Sequence, residues 1–173
     1  MLVRLLALCA CLAFSFASCA TAPSAEAIAA ADIGEKPDLE QTKQAAMYLQ
    51  KQALFDPTSA QFIWGEDVTR GWFAAPLSQA EIAWRLDFSM NGKNKLGGFT
   101  GMRRNAILVD HGNVIAYTRE TSVNGQPSTT VVRVDPPRPV SDLAAEYRRT
   151  FGQLDGVKPA AESPAASGES AKN

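Results

Sequence analysis

The residues of this chain best suited to chemistry lie in a basic, glycine-rich segment that follows a predicted strand. Backbone N–H groups in such a segment can form a concave site for an anion, and Lys and Arg side chains add positive charge. No acidic residue lies between Asp87 and Asp110. The candidate binding residues are Asn91, Lys93, Asn94, Lys95, Gly97, Gly98, Phe99, Gly101, Arg103 and Arg104. This segment is therefore the candidate site for an anion or a polar ligand.

A purely structural role for the same segment is the favoured interpretation. Glycine permits positive φ, and the side chains of Asn91 and Asn94 can hydrogen-bond to their own backbone. The glycines do not lead into a Gly-Lys-Ser/Thr sequence and a helix, which excludes a Walker-type phosphate loop. The sequence therefore predicts a strand connection first and an anion site second.

Other titratable residues do not form a catalytic pattern. Asp110 and His111 are neighbours, but Asp-His-Gly-Asn is typical of a hairpin tip, and adjacent side chains are expected to point to different sides. The acidic residues Asp67, Glu81, Asp87 and Asp110 show no spacing that would bring two of them into one cleft. We predict no catalytic residue.

We also predict no metal site and no cofactor. His111 is the only histidine, and imidazole sites usually draw on several His or Cys residues. All three cysteines, Cys9, Cys11 and Cys19, lie in the first 19 residues, so the predicted domain has no disulfide and no thiol nucleophile.

Two aromatic residues are candidate contacts for a partner. Trp72 and Phe73 lie in a segment bounded by Gly71 and Pro76 that reads as a loop or a short edge strand. Aromatic side chains often anchor protein interfaces, which favours exposure, although packing into the core is the commoner outcome.

The N-terminus reads as an export signal. Residues 5–16 are apolar apart from Ser15, which is too short for a membrane-spanning helix but suits the core of a signal peptide over residues 1–18. Phe16-Ala17-Ser18-Cys19 resembles the bacterial lipobox, although Phe16 stands where Leu is usual. That resemblance implies a lipidated Cys19, and Ala20 after it implies the outer membrane.

Cleavage without lipidation is the alternative, and Ala25-Glu26-Ala27 is a suitable site for the ordinary signal peptidase. Residues 19–37 are rich in Ala, Pro, Ser and Glu, and we expect a flexible tether there. We place the folded domain at residues 38–154 and a disordered tail at residues 155–173.

Hydrophobic periodicity places the elements that position the candidate loop. Asp38 and Gln41 predict the start of a helix that ends before Pro57, with Lys43, Gln44, Lys51 and Gln52 away from its apolar face. A short strand is predicted at residues 61–64. Strict alternation from Ile82 to Met90 predicts a half-buried central strand that leads into the loop.

The C-terminal half reads as hairpins and a closing helix. Strands at residues 106–110 and 114–118 join across Asp110-His111-Gly112-Asn113, and Asn124-Gly125 turns a strand near residues 117–123 into one at residues 129–134. A proline-rich run from Asp135 should end the sheet. Ser141 should cap a helix whose apolar stripe is Leu143, Tyr147, Phe151 and Leu154. The predicted fold is α+β, with an N-terminal helix, an antiparallel sheet of about five strands and a C-terminal helix.

The loop motif carries a wider resemblance. Asn91-x-Lys93-Asn94-x-x-Gly97-Gly98-Phe99-x-Gly101, preceded by an Asp-Pro turn within residues 54–62, resembles a pattern in small secreted or lipid-anchored bacterial proteins. The resemblance covers roughly residues 45–118. Such proteins often carry a cysteine just before the loop, where this chain has Asp87 and Phe88. The resemblance implies compartment and fold, not chemistry.

Charge and compartment together bound the function. The chain has 17 Lys and Arg against 18 Asp and Glu, which argues against a nucleic-acid partner. The sequence predicts a cell-envelope lipoprotein that faces the periplasm, carries a binding or structural domain and contacts envelope proteins or cell-wall polymer. The alternatives are an enzyme acting on envelope material, an anion- or polymer-binding loop, and a soluble periplasmic protein.

Overall fold

The computed structural model describes residues 22–75, 78–124 and 126–152. The elements are α1 (Ala25–Ala30), α2 (Leu39–Lys51), a 3₁₀ turn (Pro57–Ser59), β1 (Gln61–Trp64), β2 (Thr69–Phe73), β3 (Glu81–Asn91), β4 (Arg103–Asp110), β5 (Asn113–Val123), β6 (Gln126–Pro139) and α3 (Val140–Thr150). The six strands form one antiparallel sheet. The α+β prediction is confirmed, including the C-terminal helix.

Strand β3 is the axis of the sheet. It pairs with β4 on one side, while on the other side β2 covers its first half and β1 its second half. Leu86, Phe88 and Met90 are buried on one face, as the alternating pattern predicts. The sheet has six strands rather than about five because β2 forms an edge strand, one of the two structures that its glycine and aromatic residues allow.

Helices α2 and α3 cover one face of the sheet and make the main core, which includes Ala46, Leu86, Ile107 and Leu143. The Asp38 carboxylate accepts a hydrogen bond from the Gln41 backbone N–H at 2.8 Å, so the predicted N-cap of α2 is confirmed.

The predicted polar face of α2 is wrong at Lys51, which is only 2% exposed. Its ammonium lies 5.7 Å from the centre of the Tyr147 ring and 5.5 Å from that of Phe151. A long aliphatic stem lets a lysine pack in this way while its charge meets aromatic faces. The neighbouring Gln50 is buried too, at 1% exposed, and its Nε2 donates to the Thr118 carbonyl of β5 at 3.2 Å.

The other face of the sheet carries a second, smaller apolar cluster of Phe73, Ala83, Leu108 and Ala116. Phe73 is buried, so packing, the commoner of the two predicted outcomes, holds for it, and its candidate role as an exposed contact is wrong. Ala83, Leu108 and Ala116 share its cluster, and the Arg133 guanidinium lies 5.0 Å from the centre of the Phe73 ring. Trp72 is half-buried and lines an open groove of about 1320 Å³ on this side.

Residues 22–37 belong to the folded domain, and the prediction of a flexible tether is wrong for them. Ile33 is 3% exposed, its carbonyl accepts from the His111 N–H at 3.0 Å, and the Gly34 carbonyl accepts from the Trp84 indole at 3.1 Å. Arg70 donates to the carbonyls of Ile28 and Ala31 at 3.2 and 2.7 Å. Backbone pairing and one apolar anchor thus hold a segment whose composition alone gives no core.

The proline-rich run does not end the sheet, contrary to prediction. Strand β6 continues to Pro139, with Pro139 opposite Asn113 and a cis peptide bond before Pro136. Proline is tolerated here because β6 is an edge strand and its outer N–H groups need no partner.

The predicted Ser141 cap is wrong, because α3 begins at Val140 with Pro139 in the N-cap position and no side-chain cap. The turn at Asn124 has a φ of 53°, as a tight hairpin requires.

Several predictions fall on residues outside the described ranges: the signal peptide, Cys19, Pro76, Gly125, Leu154 and the tail. Within residues 22–75, 78–124 and 126–152, no helix combines the length and apolarity needed to cross a membrane.

Candidate functional site

The glycine-rich loop between β3 and β4 is a small hairpin that holds itself together. Lys93 and Phe99 form an isolated antiparallel bridge. The Asn94 N–H donates to the Gly98 carbonyl at 2.9 Å, and the Gly97 N–H donates to the Asn94 carbonyl at 3.0 Å. The loop therefore has a defined shape rather than a set of interchangeable conformations.

The Asn94 side chain fills the place that an anion would take. Its Oδ1 accepts hydrogen bonds from the N–H groups of Leu96 at 2.9 Å and Gly98 at 3.1 Å. Because Asn94 already uses these two donors, a phosphate could not bind to them without displacing its side chain. The predicted structural role of Asn94 is confirmed. The same prediction is not met for Asn91, whose buried Oδ1 has no partner among the described residues.

Two loop glycines are favoured by their backbone geometry, and a third is in tight contact with a neighbouring side chain. Gly97 and Gly101 have φ values of 81° and 85°, which L-residues rarely adopt. A Cβ at Gly92 would lie 3.0 Å from Leu54 Cδ2. Gly92 thus lies close to Leu54, and the base of the loop packs against the chain that follows α2.

The loop also rests on the turn at residues 56–59. The Lys93 N–H donates to Ser59 Oγ at 3.0 Å. Hydrogen bonds from Thr58, and more weakly the charge of Lys93, hold the pKa of the Asp56 carboxyl below its usual value. An ionised Asp56 thus stays beside the loop and fixes the turn that supports it.

The loop exposes three large apolar side chains from its turn to the start of β4. Leu96 is 93% exposed, Phe99 49% and Met102 46%. We refer to these three residues as the loop tip. Phe55, 68% exposed, follows Leu54 and so lies beside the base of the loop. Exposed apolar residues grouped in this way commonly mark a contact surface.

Positive charge surrounds the loop tip. The Lys93 ammonium lies 5.6 Å from the centre of the Phe99 ring, and Lys95 follows on an exposed position. At the end of the loop, Arg103 is half-buried and donates to the Thr100 carbonyl at 3.5 Å. Arg104 is exposed, and its backbone N–H donates to the Glu120 carboxylate at 2.9 Å.

The structure brings the predicted loop residues together and separates the predicted aromatic contacts from them. Trp72 and Phe73 pair with the first half of β3, at the far end from the loop. The sequence reasoning missed Leu96, Met102 and Phe55. Their signal was large apolar residues in segments that show no strand or helix period, where a core position is not expected.

Asp110 and His111 do form the predicted hairpin tip, but their side chains meet. His111 Nδ1 lies 2.8 Å from Asp110 Oδ1, and Nε2 lies 3.4 Å from Asp32 Oδ1. The expectation that they point to different sides is wrong because His111 has a positive φ of 45°, which turns its side chain back. The pair lies beside the N-terminal segment, which it helps to hold.

The remaining acids are paired one by one rather than gathered in a cleft. Asp67 pairs with Lys36, Glu81 with Arg133 and Asp87 with Arg85. The hydrogen bond from Arg133 holds the pKa of Glu81 below its usual value, and that from Lys36 does so for Asp67. In the part of the chain that the structure describes, no cluster of three or more His, Cys, Asp or Glu residues is suited to a metal ion.

Replacing Asn94 with alanine should free the two amides that its side chain holds. Each lost hydrogen bond is worth about 1 kcal/mol, so amide exchange at Leu96 and Gly98 should quicken roughly fivefold or more. Hydrogen–deuterium exchange at these two amides checks the prediction. The matched control is Lys95→Ala, which alters an exposed neighbour and should leave both rates unchanged. Equal rates in all three proteins would mean that the side chain does not shape the loop.

A functional proposal for this chain has to start from the geometry of the loop, because comparison with known proteins gives no match. No known protein family, curated protein or solved structure matches this chain. The resemblance of the loop motif to small secreted bacterial proteins therefore stays a prediction.

Proposed function

We propose that this chain is an exported cell-envelope lipoprotein, anchored through Cys19 and facing the periplasm, whose domain docks an envelope protein through the loop tip. The role is binding rather than catalysis. The observation that carries the proposal is a self-braced loop that exposes Leu96, Phe99 and Met102 to solvent. Holding three large apolar side chains in water is unfavourable unless a partner covers them.

The rigidity of the loop supports a docking role. Hydrogen bonds from the Leu96 and Gly98 amides to Asn94 fix the backbone before any partner arrives. A surface that is already in its bound shape loses less conformational entropy on association. The partner should offer an apolar recess for Leu96 and Phe99, with acidic groups around it to complement Lys93, Lys95 and Arg104.

A protein partner fits the loop better than an anion or the anchoring membrane. Asn94 already occupies the Leu96 and Gly98 amides, so a phosphate would have to compete with its side chain for them. The N-terminal segment packs at the Trp84 end of β3, while the loop leaves the Asn91 end, about 23 Å away by strand geometry. Residues 33 and 34 are thus held at the opposite end of β3 from the loop.

Crosslinking in cells tests this function. A photoreactive amino acid at position 96 should capture one protein, and Phe99→Ser should remove the product. In a binding assay with that partner, Leu96→Ser with Phe99→Ser should weaken affinity by roughly thirtyfold or more, the size of an interface hot spot. Ile63→Ser is the matched control, because Ile63 is 60% exposed on β1 and is not part of the loop tip.

Other outcomes would point to the alternatives. Capture of lipid or cell-wall polymer, with salt-sensitive binding that fails on charge reversal of Lys93, Lys95, Arg103 and Arg104 but not in the apolar variant, would favour the anionic ligand. Loss of cellular function on alanine replacement of Asp87, Asp110 or His111, with the fold intact, would favour an enzyme. A mature protein without acyl mass at Cys19 would make it soluble in the periplasm.

A further inference from the structure

A pocket of about 240 Å³ lies between the C-terminal end of α2 and the sheet, at the base of the glycine-rich loop. Leu54 and Met90 give it apolar surface, Gln50 reaches it from the helix, and Arg103 and Arg119 line it from β4 and β5. Leu96, Phe99 and Met102 are not part of its lining, so this site is separate from the loop tip. A pocket of this volume has room for a small organic ligand.

Gln50 brings an unused acceptor to this pocket. It is 1% exposed, and its Nε2 donates to the Thr118 carbonyl at 3.2 Å. A carbonyl can only accept, so the amide cannot be turned around, and Oε1 is the atom left over. Among the described residues, Oε1 has no hydrogen-bond partner. A buried acceptor without a partner costs about 1–3 kcal/mol, which a bound donor would recover.

Two arginines supply hydrogen-bond donors and positive charge to the same pocket. Arg119 donates to the Tyr117 hydroxyl at 3.3 Å and lies 5.6 Å from the centre of that ring, and Arg103 donates to the Thr100 carbonyl. Within the described part of the chain, neither guanidinium has a carboxylate within 4.0 Å. Glu120 also lines the pocket, but one of its oxygens accepts from the Arg104 backbone. Two arginines against one glutamate leave the pocket net positive.

We infer that this pocket binds a small carboxylate with an N–H donor on the adjacent carbon, which is the chemistry of an amino acid or of the last residue of a peptide. The carboxylate pairs with Arg103 and Arg119, because a guanidinium fork matches a carboxylate in geometry and charge. The N–H donates to Gln50 Oε1, near the C-terminal end of α2, where the helix dipole favours positive charge. A small aliphatic side chain packs on Leu54 and Met90.

Four simple probes separate these requirements on the unmodified protein. Alanine and N-acetylalanine carry both groups, acetate has only the carboxylate, and alaninamide has only donors. In a titration followed by ¹H–¹⁵N NMR, we expect saturable shifts at the Gln50 side-chain amide and at Thr121 with one or both of the first two. Alanine alone would identify a free amino acid, and N-acetylalanine alone or in addition would identify a peptide end. Acetate and alaninamide should bind at least roughly tenfold more weakly.

Variants then assign the contacts. Gln50→Met, which keeps side-chain length, should weaken binding roughly fivefold or more, and Arg119→Met roughly tenfold or more. Arg149→Met is the matched control, since it removes the same charge from an exposed position on α3. The inference is overturned if no probe binds below about 10 mM, if all four bind alike, or if the shifts lie outside the pocket. The comparison of probes needs no variant, so a misfolded mutant cannot decide the result.

Discussion

Replacing Leu86 with alanine is expected to lower the free energy of unfolding by about 2–5 kcal/mol, the range for a large side chain removed from a packed core. Leu86 is 0% exposed and lies in the middle of β3, opposite Ile107 of β4 and in the core that the helices cover. The cavity would open where β3 meets α2 and α3, and these elements are tied to one another too closely to collapse into it. This is the largest effect that we expect from a single truncation.

Chemical denaturation followed by tryptophan fluorescence measures the change. Ile63→Ala is the control, because it removes a β-branched side chain that is 60% exposed on the short strand β1, and it should cost well under about 1 kcal/mol. Equal losses in the two variants would mean that β3 is not the centre of the core. A loss at Ile63 alone would point to a partner or a copy of the chain covering the open face.

The axis of the fold was predictable because its signal is local. Alternation from Ile82 to Met90 needs only one strand and one apolar face. The Asp38 side chain lies three residues before Gln41, whose backbone N–H donates a hydrogen bond to it. The Asp110–Asn113 and Asn124 turns likewise depend on residues that carry their own backbone preference. Such features are written within a few positions of the chain.

The elements that the sequence missed depend on distant partners. Residues 22–37 look like a tether because Ile28 and Ile33 are their only large apolar residues. The contacts of the segment with Trp84 and His111, which are distant in sequence, show where it docks. The prolines of β6 indicate an end to a strand, yet an edge position removes their penalty. In both cases the deciding feature, a distant contact or a position at the edge of the sheet, leaves no pattern in the nearby sequence.

The candidate site divides along the same line. The hydrogen bonds of Asn94 stay within the loop, and the residue type predicts them. Leu96 and Met102 are exposed because no other part of the fold covers them. The composition of the loop does not predict whether such a cover exists. The pocket at Gln50 needs the end of α2, the loop and two strands at once, so it appears only after the chain has folded.

Replacing Gly34 with alanine should detach the N-terminal segment from the sheet. Gly34 has a φ of 71°, and an added Cβ would lie 2.8 Å from His111 Cα, closer than real Cβ atoms come to backbone. The left-handed backbone costs about 1–2 kcal/mol for an L-residue, and forcing an atom into a packed contact adds about 1–3 kcal/mol. Since few contacts hold residues 22–36, releasing this segment should cost less free energy than keeping the clash at His111.

Gly112→Ala separates the clash from the backbone strain, because Gly112 has a similar φ of 75° and nothing within 4 Å of its Cβ position. Both variants bear the strain, but only Gly34→Ala should make the bonds around Ile28 and Ile33 sensitive to protease and expose the Trp84 indole to solvent. Limited proteolysis and the Trp84 indole resonance in NMR report the two events. Equal cleavage in both variants would mean that backbone strain alone, without the clash at His111, explains the release of the segment.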